Sequence, residues 1–181
     1  MLMLPALTDK SSVAIYTDAS FIYNRNIMYM GGIMITPDGK IHRFSGELKG
    51  NEKLRYIKHG AMTAEVLAFM RVLNVAAQKG YTKAYMFYDL EAISMWAKGL
   101  HSVNNGLCEM FIGYLKKISR KIDIEHCLLK HDNDHALHYS AHVLSQKIRR
   151  ELQKQKRLKK AVKKQRRVYS LLRDEELEKI Y

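Results

Sequence analysis

An α/β fold built on a mixed five-stranded sheet is predicted for this chain of 181 residues. Three observations predict it. Strand-like apolar runs recur, the first three meander through short connections, and the later two alternate with helix-like stretches. Val13 to Ser20 is the first strand and Met28 to Thr36 the second. Pro37-Asp38-Gly39-Lys40 is a hairpin turn into a third strand, Ile41 to Gly46, so these three should be antiparallel. Gly50 to Gly60 is polar and reads as loop. Ala61 to Lys79 is apolar almost all round, the mark of a helix buried on most faces, with Gly80 placed as its C-cap. Ala84 to Tyr88 is the fourth strand. Glu91 to Lys98 and Leu107 to Arg120 are helices, and Ile122 to Leu129 is the fifth strand. A last helix should start near Asp132 or Asp134 and run through the basic segment beyond.

Three carboxylates are out of character with their neighbours. Asp18 ends the run Val13-Ala14-Ile15-Tyr16-Thr17, Glu65 interrupts the apolar helix, and Asp89 ends Ala84-Tyr85-Met86-Phe87-Tyr88. A buried carboxylate is costly unless it is paired or binds metal, and no Lys or Arg is equally well placed beside these three. Together they point to one shared site for divalent cations.

Charge is concentrated at one end. The chain carries a formal +13, and 47% of its residues are hydrophobic, so it is globular rather than disordered. Between Gln146 and Arg167 twelve Lys or Arg face the single acid Glu151, a local +11. The division expected is a globular unit over 1–146 and a basic helical extension over 147–181, an asymmetry suited to a polyanion. Cys108 and Cys127 match no zinc or redox spacing. The apolar opening Met1 to Leu7 is too short for a membrane span or a signal segment, and nothing else in the chain offers about eighteen uninterrupted apolar residues. A cytoplasmic protein with no membrane partner is the expectation; for a viral chain the compartment would be the host cytoplasm or nucleoid.

Tyr16-Thr17-Asp18-Ala19-Ser20 at a first strand's end, Thr63-Ala64-Glu65-Val66-Leu67-Ala68 in the first long helix, and Tyr88-Asp89 after the fourth strand are, in this order, similar to the successive signatures of the ribonuclease H family, type 1. His131-Asp132-Asn133-Asp134, followed by Tyr139-Ser140-Ala141-His142-Val143-Leu144, resembles its last block, and the similarity spans roughly residues 11 to 146. The resemblance implies an endonuclease that hydrolyses the RNA strand of RNA/DNA hybrids with two Mg²⁺ or Mn²⁺ ions. Such ions can generate the nucleophile from water and stabilise the leaving oxygen. It implies that Asp18 bridges both ions, that Glu65 and Asp89 hold one side with Glu65 near the 2′ hydroxyl, and that His131 is the loop histidine assisting proton transfer or product departure.

The fourth ligand departs from the family. Where an aspartate is usual, the Ala-x-x-Leu frame places His142, which can ligate through a neutral nitrogen and favours Mn²⁺ over Mg²⁺. Asp132 or Asp134 could compensate if the loop folds inward. His131, His135, His138 and His142 recur at helical spacing, yet His135 and His138 read as helix-surface or partly packed residues rather than a zinc site.

Substrate contacts are expected from Asn24, Arg25 and Asn26 after the first strand, and from Lys116 and Lys117 among the cations of the middle helices. Trp96 is expected to pack there. In the extension, Lys156, Arg157, Lys159, Lys160, Lys163 and Lys164 would track phosphates of the hybrid or of other duplexes. Ile148, Leu152, Leu158 and Val162 fall within about 120° of one another on a helix, a seam that could face the body or a protein partner. Two rivals share the same residues: a DNA nuclease or junction resolvase of the superfamily, and a non-catalytic nucleic-acid-binding module.

Overall fold

The computed structural model describes residues 7, 9–100, 106–130, 136–147, 150–155, 157, 158 and 160. Five strands form one sheet in the order β3-β2-β1-β4-β5: β1 Ser12–Ile22, β2 Ile27–Ile35, β3 Ile41–Leu48, β4 Lys83–Tyr88 and β5 Asp123–Leu128. β1, β2 and β3 pair antiparallel, and β4 is parallel to both β1 and β5. The mixed sheet with three antiparallel strands is the one the sequence predicts. At the β2–β3 turn, Gly39 takes the left-handed φ of 77°, and its N–H donates to the Thr36 carbonyl at 2.9 Å.

Side-chain alternation divides the strands between two layers. Val13, Ile15, Met30, Met34, Met86 and Tyr88 face α2 (Ala61–Gln78), α3 (Glu91–Ala97) and α4 (Gly106–Ile118), where Phe69, Val72, Leu73 and Phe111 complete a continuous core. Ala14, Tyr16, Ile33, Ile35 and Phe87 face the opposite way, against Ala141 of α5 (Ala136–Ser145). Trp96 is buried beside Phe111, as expected. α2 ends where predicted, with Gly80 left-handed and the Tyr81 N–H donating to the Ala76 carbonyl at 3.2 Å.

Two expectations are corrected. Residues 50–60 are not loop: α1 (Asn51–Tyr56) and a 3-10 turn (Ile57–His59) lie there. Their polar side chains hide the signal, because within α1 only Tyr56 is buried, and Thr63 Oγ1 ties the turn down by donating to the Tyr56 carbonyl at 2.7 Å. Nor does the last helix run unbroken into the basic segment. α5 closes at Ser145, Gln146 is a turn, and the described residues from 147 to 160 are helical again.

The chain divides into two compact units, Met1–Gln146 and Lys147–Tyr181. In the second, Arg157, Leu158 and Lys160 are exposed and Leu152 is half-buried. Ile148 and Val162 of the apolar seam lie outside the described residues. Among the described residues, no helix is long and apolar enough to cross a membrane.

Candidate metal centre

The site forms where two neighbouring parallel strands end. Tyr16 lies beside Phe87 in the β1–β4 register, so two residues further on Asp18 comes beside Asp89 on the same face. That is the α5 face. On its other side Asp18 is registered with Gly31 of β2, and α5 rests directly on that glycine. A Cβ on Gly31 would collide with the Ala141 carbonyl oxygen and lie 2.6 Å from the Ser145 amide. Ser20 Oγ donates to the Ser145 carbonyl at 2.7 Å and fixes the end of the helix. Close approach at residues 141 and 145 carries the preceding turn, and with it His138, over the strand ends.

Asp18 is 4% exposed and His138 1% exposed. One ligand atom from each of Asp18, Asp89 and His138 lies within 4.8 Å of the others. Asp18 Oδ2 and both ring nitrogens of His138 are buried without a hydrogen-bond partner. His142 Nδ1 stands 3.4 Å from Asp18 Oδ2 and 3.5 Å from Oδ1, too far for a strong bond, and its ring stacks on Tyr139. Glu65 reaches the same strand end from the opposite layer: its Oε1 accepts the Ala19 N–H at 2.9 Å, beyond the last β1–β4 pair. Asp89 is half-buried.

These residues fit a divalent ion. Three orphaned polar atoms sit on two adjoining side chains, and an ion would satisfy oxygen and nitrogen donors that packing leaves without partners. The tyrosines beside the carboxylates add no charge, because burial holds Tyr88 up at about 12 and Tyr16 well above the ordinary phenol range. A cavity of about 360 Å³, lined by Met30, Phe44, Val72 and Val75 with Arg43 and Arg71, lies in the other layer, away from this chemistry.

The structure therefore brings Asp18, Asp89 and Glu65 to one strand end, with His142 beside Asp18. It adds His138, for which sequence reasoning expected only a surface or partly packed role. The available signal was the spacing His138, Ala141, His142, Ser145, one stripe of a helix whose small members permit close packing. His131, Asp132, Asp134 and His135 lie outside the described residues, as do Lys156, Lys159, Lys163 and Lys164. Asn24, Arg25 and Asn26 form an exposed turn closing β1, with Asn26 left-handed at φ 51°, and Lys116 and Lys117 are exposed on the last turn of α4.

No protein-family model matches the sequence. No curated protein matches it either. Solved structures do match. RNase H1 from the halophilic archaeon Halobacterium salinarum superposes with a TM-score of 0.57 at 17% identity, over 74% of this chain and 93% of that one. The N-terminal RNase H domain of a Mycobacterium tuberculosis protein gives 0.57 at 15%, over 74% and 95%. LC11-RNase H1, solved in complex with an RNA/DNA hybrid, gives 0.57 at 15%, over 75% and 98%. The chain has the ribonuclease H fold.

Proposed function

We propose that the protein is a metal-dependent endoribonuclease that hydrolyses the RNA strand of RNA/DNA hybrids. The observation that carries this reading is the meeting of Asp18, Asp89 and a histidine of α5 at the end of β1 and β4, with Glu65 alongside, on a ribonuclease H fold. Bound there, Mg²⁺ or Mn²⁺ would supply an activated water and stabilise the leaving oxygen.

The remaining work falls to side chains. Asp18 would be the shared ligand, with Asp89 and the histidine on the α5 layer. Glu65, held at Ala19, would meet the 2′ hydroxyl that distinguishes RNA from DNA. His142, half-exposed against Tyr139, would be either a further ligand or an orienting partner of Asp18. His131 would serve as the proton-handling group of the neighbouring loop. Asn24, Arg25 and Asn26 on their exposed turn would contact sugars and phosphates of the hybrid, with Lys116 and Lys117 reaching its backbone. The extension over 147–181 would clamp phosphates without reading sequence.

Labelled hybrid, duplex RNA, duplex DNA and a four-way junction, each incubated with the protein and divalent metal, test the proposal. Cutting confined to the RNA strand of the hybrid is expected. Cutting of DNA or junctions, or binding of all four with no cleavage, would overturn it in favour of a DNA nuclease or a binding module. Truncation after Leu152 tests the extension: if about five cations contact phosphates, the slope of log K against log salt should become shallower by about 3 to 4. Unaltered affinity and slope would make the extension a protein-docking element instead.

A further inference from the structure

We propose that His138, rather than His142, is the imidazole that enters the metal's inner sphere, and that the nitrogen-containing set so formed takes Mn²⁺ in preference to Mg²⁺. This rests on the reading that divalent ions are held at Asp18 and Asp89, and it assigns the ligand that sets which ion is held.

The two histidines differ in what surrounds them. His138 is all but sealed from solvent, and neither of its nitrogens has a protein partner. A neutral imidazole has one donor and one acceptor, and burying both unmet is unfavourable, so packing alone does not explain a histidine there. An apolar residue of similar size would fill the space without that cost. Its nitrogen shares the 4.8 Å group with oxygens of both Asp18 and Asp89. Two ligands on one ion at about 2.1 Å each stand up to roughly 4 Å apart, so slight side-chain rotation closes the set.

His142 is differently engaged. Its side chain is 48% exposed, its Nδ1 faces Asp18, and its ring lies on Tyr139. The ligand atoms that lie within 4.8 Å of one another come from Asp18, Asp89 and His138, and His142 meets Asp18 from the solvent side as a positioning residue. One turn of helix separates the inner histidine from the outer one, and the contact of Ala141 on Gly31 fixes which of them points inward.

Donor chemistry gives the selectivity. Mg²⁺ prefers an all-oxygen octahedron and gives up its waters reluctantly, whereas Mn²⁺, larger and a first-row transition ion, accepts an imidazole nitrogen in its shell more readily.

The test uses Mn²⁺ as the probe on the full chain, read by electron paramagnetic resonance without substrate. Free-ion titration gives the affinity, and pulsed measurements show whether ¹⁴N is coupled to the bound ion. Coupling is expected in the unaltered protein, lost in His138→Gln and kept in His142→Gln. Mn²⁺ affinity should fall about tenfold or more in His138→Gln. In His138→Asp, competition by Mg²⁺ should become about tenfold more effective. Bound Mn²⁺ without ¹⁴N coupling in the unaltered protein overturns the assignment while leaving the metal centre standing, and it needs no variant to fold. Coupling lost in His142→Gln and kept in His138→Gln also overturns it, as does coupling kept in both. Absence of any Mn²⁺ binding overturns this assignment and the metal-dependent function with it.

Discussion

The two layers of the sheet are built to different ends. On the side of α2, α3 and α4, Phe69 sits 5.5 Å from the Tyr88 ring and 5.4 Å from Phe111, both edge-on, with the His126 ring stacked at 5.8 Å. Two polar groups entering that layer find partners, Tyr114 donating to the Met70 carbonyl at 3.0 Å and Tyr88 meeting His126 Nδ1 at 3.0 Å, whereas Thr17 Oγ1, on the β1 face of Val13 and Ile15, has none. On the side of α5, among the described residues, three of the four buried side-chain atoms without a partner belong to Asp18 and His138. One layer is dominated by ring packing, and the other leaves polar atoms of Asp18 and His138 unpaired at the proposed metal centre.

The sharpest break in this contrast comes from Asp18→Asn. Turnover should fall at least about a thousandfold, since the charge proposed to be shared by the ions is removed, while hybrid affinity stays within a few fold. The metal-free protein should melt no lower than the parent, because a buried charge has gone. A lower melting point in metal-free buffer would show that the α5 layer is not carrying a cost.

Phe69→Ala makes the opposite test. It should lose about 3–5 kcal/mol in urea unfolding, having left a cavity among three rings. A loss under about 1 kcal/mol would mean that the core is not centred there. Gly31→Ala couples the layers to the site: overpacking should cost about 1–3 kcal/mol, and lifting α5 should weaken Mn²⁺ binding in the same protein. Lost stability with full Mn²⁺ affinity would separate helix seating from ligand placement.

The smallest effect concerns His126. Burial, and then the nearby Lys98, hold its pKa below the ordinary histidine value, and Tyr88 is its hydrogen-bond partner. The unfolded chain therefore binds more protons, so this contribution is full above about pH 6.5 and is lost as pH falls through the folded value. Unfolding free energy measured from pH 7 to 5 should decline less in His126→Gln than in the parent, and equal slopes would exclude His126 as the source.

Much of this was legible in the sequence because burial leaves a pattern. All five strands, the hairpin at Gly39 and the apolar length of α2 follow from alternation, turn chemistry and periodicity. Asp18, Glu65 and Asp89 stood out because each interrupts apolar company, and each reaches the same strand end. α1 escaped notice because its outward residues outnumber Tyr56, the one it buries, and Leu54 is 67% exposed. His138 escaped for another reason. A helix presents residues 138, 141, 142 and 145 along one stripe, and only the seat of Ala141 on Gly31 decides which histidine is drawn inward. That is a contact between segments more than a hundred positions apart, which no local pattern contains.

The register of β1 against β4 has a consequence for how the site could be rebuilt. Asp18 and Asp89 are spaced by the gap between adjacent strands, about 4.8 Å, and not by the 70 residues of chain connecting them. Lengthening or opening the turn at 37–40 leaves that gap unaltered. Two separately expressed pieces divided at Gly39 would recover the carboxylate spacing as soon as their strands zipped together, so complementation in trans would report correct sheet assembly through the reappearance of ion binding.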